Sequence, residues 1–69
     1  MDTPRDIDAR GLRCPLPALR LARAVRDQGP GIYRLVADDP AAATDIPALA
    51  IERGWTLLSA SPPEFIVRA

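Results

Sequence analysis

Ile32-Tyr33-Arg34-Leu35-Val36-Ala37 is an almost unbroken apolar run. It is bracketed by Gly29-Pro30-Gly31 on one side and Asp38-Asp39-Pro40 on the other. A run of this length, rich in β-branched and aromatic residues and closed by turn formers at both ends, reads as a strand in the middle of a sheet. The segment before it has a different period. From Pro15 to Gln28, Ala18, Leu21, Ala22 and Val25 recur at i, i+3, i+4 and i+7, the stripe of an amphipathic helix. Arg20, Arg23 and Asp27 fall on the opposite face, Leu19 lies at the edge of the stripe, and Gly29-Pro30-Gly31 stops the helix. Ahead of it, Arg5-Asp6-Ile7-Asp8-Ala9 places Ile7 and Ala9 on one face of a short first strand, and Arg10-Gly11-Leu12-Arg13 is a loop.

Beyond Pro40 a second helix is expected between Ala41 and Arg53, with Ile46, Leu49 and Ala50 as its buried stripe and Gly54 at its C-terminal end. Pro47 fits its first turn, capped by Thr44 or Asp45; an earlier start would leave the helix kinked. Trp55–Ser61 and Glu64–Arg68 read as the strands of a hairpin turned by Pro62-Pro63, with Trp55 packing against the hairpin or core. The order is β-α-β-α-β-β. A right-handed crossover makes the first two strands parallel neighbours, and the last two pair antiparallel. The expected fold class is α/β, a two-layer sandwich of two helices on a four-stranded mixed sheet. Residues 1–69 read as one domain, with no linker, repeat or low-complexity tract.

Composition narrows the function. The chain is 48% hydrophobic, enough to fold, but with only three aromatic residues its core must be aliphatic. Nine arginines balance nine acidic residues and there is no lysine, so no net field draws nucleic acid; RNA binding is disfavoured further by the lack of a stacking motif. Arg10, Arg13, Arg20, Arg23 and Arg26 gather in the first half. They read as a solvated helix face or as a docking patch for an acidic partner surface. Asp38 and Asp39 read as the start of a loop rather than a metal site. No apolar run can span a bilayer, and Met1-Asp2-Thr3-Pro4 is no signal peptide.

Cys14 is the only cysteine, and there is no histidine. It therefore has no disulfide partner within the chain, no thiolate set for zinc, and no imidazole base for hydrolysis. A lone thiol fits a reducing compartment, so the cytoplasm is expected. Cys14 stands where strand and loop give way to helix, and Pro15 biases it toward the extended conformation of an N-cap. On that reading Pro15, Leu16 and Pro17 form the first turn and Leu16 is the amide that can donate to sulfur; Pro17 disfavours helical dihedrals at Leu16, which leaves a later start open. The helix dipole, with Arg13 and Arg10 nearby, then favours a thiolate or persulfide anion. A single exposed thiol can carry thiol exchange or transfer of sulfur through a persulfide. The competing reading is a redox-sensing or protein-interaction module.

Asp8-Ala9-Arg10-Gly11-Leu12-Arg13-Cys14-Pro15-Leu16-Pro17 closely resembles the signature of the TusA/SirA-like sulfur-carrier proteins, whose hallmark is Cys-Pro-x-Pro after Gly-Leu-x. The likeness continues through Asp38-Asp39-Pro40, Asp45-Ile46-Pro47 and the terminal hairpin. It implies a carrier that accepts sulfur as a persulfide on Cys14, from a cysteine desulfurase or a rhodanese. It also implies relay to an acceptor protein in tRNA thiolation, molybdenum-cofactor synthesis or sulfur oxidation. No cofactor or metal is implied, and the role is that of a carrier more than of a turnover enzyme. Pro15 and Pro17 shape the helix start, Gly11 permits the tight loop, and Asp8 and Arg10 order it. Trp55 and Ala50 depart from the family pattern, where many members carry a polar residue or histidine and some a second cysteine.

Overall fold

Alternate residues of the central strands are buried, and that alternation defines one covered face of a sheet. The computed structural model describes residues 3–69; Met1 and Asp2, the first half of the segment read as no leader, lie outside them. Its elements are β1 (Arg5–Asp8), α1 (Leu16–Gln28), β2 (Ile32–Val36), α2 (Ala42–Arg53), β3 (Thr56–Ser61) and β4 (Glu64–Arg68). The sheet order is β1-β2-β4-β3. β1 runs parallel to β2 with Ile7 opposite Leu35, and β4 runs antiparallel to β2 with Phe65 opposite Leu35. The α/β fold with a mixed sheet is the one the sequence predicts.

The hairpin adds its second strand, not its first, to the centre of the sheet. β4 offers two fully inward apolar side chains, Phe65 and Val67, whereas β3 carries Thr56, Ser59 and Ser61 and tolerates an edge. A bulge between Leu57 and Ser59 interrupts that edge, a common way to blunt unpaired backbone groups.

Ile7, Tyr33, Leu35, Phe65 and Val67 from the sheet meet Leu21 from α1 and Ile46 and Ala50 from α2 in one core cluster. Each fully buried large side chain contributes roughly 1.5–3 kcal/mol. Ala18 and Val25 pack on the rim of this core, as does half-buried Trp55. Tyr33 brings a polar tip under the sheet. Its hydroxyl donates to Gly29 O and accepts from Arg5 Nη1 at 2.9 Å, so burial leaves it satisfied.

At both helix starts the structure takes the second of the two possibilities that the sequence leaves open. α1 begins at Leu16 with Pro15 in the capping position, one residue later than a Cys14 cap requires. The Leu16 amide closes onto Arg13 O at 2.8 Å, so the turn is already made before the helix proper. α2 begins at Ala42, capped by neither Thr44 nor Asp45. Asp39 starts it instead: its carboxylate accepts from Ala41 N at 3.0 Å and its carbonyl from Ala42 N at 2.9 Å. Pro47 therefore lies inside α2, not in its first turn. The bond it forgoes is to the carbonyl of Ala43, an exposed residue whose carbonyl can turn to water. Gly54 ends α2 at φ +72°, the left-handed C-terminal position.

Candidate functional site

Parallel pairing sets the carboxyl ends of β1 and β2 side by side, and residues 9–15 cross there. Ala9 N donates to Val36 O at 2.8 Å, extending the ladder, and Leu12 N closes a turn onto Ala9 O. Gly11 takes φ +79°, a left-handed conformation that side chains disfavour. In crevices at the carboxyl ends of parallel strands, α/β folds commonly place their chemistry.

Three carboxylates from the segment after β2 hold this loop. Gly11 N donates to Asp38 Oδ1 at 2.9 Å, and Cys14 N donates to Asp39 Oδ2 at 2.6 Å. The Cys14 thiol itself donates to Asp45 Oδ2 at 2.7 Å, across the gap to the first turn of α2. Cys14 is exposed, and the peptide bond to Pro15 is cis. Asp39 is held below the ordinary carboxylate range by the amides of Ala41 and Cys14, with Arg13 adding to the effect.

The electrostatics of the thiol run opposite to the sequence expectation. The hydrogen bond to Asp45 comes first in pushing the Cys14 thiol up, followed by desolvation and then by the charges of Asp45 and Asp39. The helix dipole does not win because the Leu16 amide is turned to Arg13 O and the charges facing sulfur are anionic. The Asp45 contact therefore favours the protonated thiol of Cys14 over its thiolate.

The remaining expected site residues divide into two groups. Asp8 and Arg10 form an exposed fork, Nε to Oδ1 at 2.9 Å and Nη2 to Oδ2 at 3.1 Å. That side-chain bond and the one from the Arg10 amide hold Asp8 down at about 2. Arg20 reaches the Asp8 carbonyl at 3.1 Å. Arg10 thus orders the approach to the loop instead of facing the sulfur. Arg13 makes no side-chain hydrogen bond or ion pair among the described residues, and its charge adds to the lowering of Asp39. Pro17, in the first turn of α1, is buried, whereas Pro15 and Leu16 are exposed beside the thiol. From Cys14 a shallow groove runs between the helices, floored by Ala18, Ala22, Ala48 and Leu49, with Glu52 and Arg53 at its far end. Among the described residues no group of three or more metal-ligating side chains is placed to hold an ion.

Asp38, Asp39 and Asp45 lie in stretches that the resemblance marks, but reading the sequence assigns them no place at the thiol. Asp39 and Asp45 stand 25 and 31 positions from Cys14, beyond any local pattern. The signal that finds them is topological: in a parallel β-α-β unit, whatever follows the second strand faces whatever follows the first.

A family model described as sulfurtransferase TusA matches residues 5–68. The chain belongs to the TusA family. It is 40% identical over 53 residues to the sulfur carrier protein TusA of Pseudomonas aeruginosa, covering 75% of this chain and 67% of that protein. A putative sulfur carrier protein of Archaeoglobus fulgidus is 40% identical over 55 residues, 78% of this chain and 71% of the relative. The family match spans both the thiol loop and the carboxylates after β2. Chemically, the free and exposed Cys14 thiol is open to a reactant brought to it from solution.

Proposed function

We propose that this protein is a sulfur carrier that accepts sulfur as a persulfide on Cys14 and relays it to an acceptor protein. The observation that carries this reading is an exposed single thiol on a clamped loop, in a chain of the TusA family. Gly11, Asp8 and Arg10 shape the loop, Arg13 supports Asp39, and Pro15, Leu16 and Pro17 form the surface next to sulfur. The donor is a cysteine desulfurase or a rhodanese, and the acceptor a relay protein for tRNA thiolation, molybdenum-cofactor synthesis or sulfur oxidation. A free exposed thiol supports a cytoplasmic setting. Redox sensing is the weaker reading, since peroxide-sensing cysteines have depressed pKa values and this thiol is pushed up.

Intact mass after incubation with a cysteine desulfurase and cysteine tests the proposal. The expected result is a gain of one sulfur atom, removed by reductant and absent in Cys14→Ser, which keeps the wild-type unfolding midpoint. No gain with several desulfurases and rhodaneses sinks the carrier reading, and unfolding of Cys14→Ser makes the thiol structural.

A further inference from the structure

Loading Cys14 changes what stands in front of Asp45. The unloaded Sγ carries a proton, and that proton is what Asp45 Oδ2 receives. A persulfide is a stronger acid than its parent thiol, so near neutral pH the loaded group is an anion with no proton to donate. The groups facing the sulfur are Asp45 from the first turn of α2 and Asp39 from the β2–α2 loop. The charge of Arg13 reaches Asp39 through space without an ion pair between them, and Glu52 and Arg53 lie farther along the groove on α2. Loading therefore exchanges a hydrogen bond for repulsion between anions.

We infer that Asp45 is a positioning residue that favours the unloaded carrier over the loaded one, through its hydrogen bond to the Cys14 thiol, and so sets the protein to yield its sulfur. This rests on the persulfide-carrier reading and goes beyond it by assigning the direction of transfer to one side chain. The upward push on the thiol agrees with the geometry. The exchange is balanced without an oxidant. With a small persulfide donor, Cys14–SH and RS–S⁻ give Cys14–S–S⁻ and RSH: the donor S–S bond breaks, a new one forms at Sγ, and the Sγ proton passes to the departing thiolate. Asp45 stabilises only the left side.

The experiment equilibrates wild type, Asp45→Asn and Asp45→Glu with glutathione persulfide and glutathione at fixed ratios, reading occupancy by intact mass. Asn should hold severalfold more sulfur than wild type at neutral pH, and Glu should return toward wild type. The gap should close as pH falls through the persulfide pKa, where the loaded sulfur is protonated and can again donate to Asp45. In parallel, the pH profile of Cys14 alkylation by iodoacetamide should shift to lower pH in Asp45→Asn. Equal occupancy across pH, or an unmoved alkylation profile, overturns the inference. If wild type takes no sulfur at any ratio, the carrier reading falls, and the alkylation profile alone then decides whether Asp45 holds the thiol.

Discussion

The core beneath β2 and β4 and the thiol loop at the ends of β1 and β2 are held by unlike forces. Under the sheet, Tyr33, Leu35, Phe65 and Val67 are essentially inaccessible, and among the described residues no charged side chain is buried. Apart from the hydrogen-bonded Tyr33 hydroxyl, cohesion there is apolar and non-directional. The loop is exposed and fastened by carboxylates to two amides and a thiol. Its order depends on direction and charge. The difference separates stability from chemistry: the loop can respond to its sulfur without loosening the sheet.

The largest effect should come from breaking the first region. Phe65→Ala opens a cavity next to Leu35 and should cost about 3–5 kcal/mol, a large share of what a small domain has. Urea unfolding measures it. The contrast holds if the folded fraction still alkylates at Cys14 at the wild-type rate, and collapses if that rate changes.

Gly11→Ala tests the loop without touching the packing. A Cβ at Gly11 meets nothing within 4 Å, so the expected loss of about 1–2 kcal/mol comes from the left-handed backbone alone. The same urea series reads it. A variant as stable as the parent would mean that the loop relaxes freely and that the carboxylates do not fix its shape.

The smallest effect is on pH. Asp39 is depressed in the folded state, so its contribution is complete above the unfolded carboxylate value of about 3.9 and fades only as pH falls through the lower folded value. The Cys14 amide resonance should stay constant from neutral pH to about 4 and move below it. Asp8, held at about 2, should release Arg10 last. A Cys14 amide that titrates above the ordinary carboxylate range would contradict the clamp.

The sequence carries the architecture in its periodicities. The stripe through Leu21 and the run from Ile32 to Ala37 are local patterns, and they place α1 and β2 to within a residue or so. The position of β4 inside the sheet follows from comparing the inward residues of two strands, which chain order alone does not reveal. The helix starts were obscured by proline: Pro15 and Pro47 point to first turns, yet Asp39 and the Arg13 carbonyl decide where the turns begin. Cys14 is legible because it is single and sits before Pro15. Its acidity is not, because a lone-strand reading sees the α1 dipole and Arg13 but not carboxylates arriving from the other side of β2.

Gly31 and Ala69 exchange two backbone hydrogen bonds, 2.8 and 3.3 Å long. They tie residue 69 to the start of β2, whereas the thiol lies past its end, roughly 16 Å away for five extended residues. For engineering, Ala69 is therefore the place to anchor the protein. A tether to a bead, a dye or a second protein attached there leaves the sulfur face turned to solution, so immobilised carrier can meet donor and acceptor from one side.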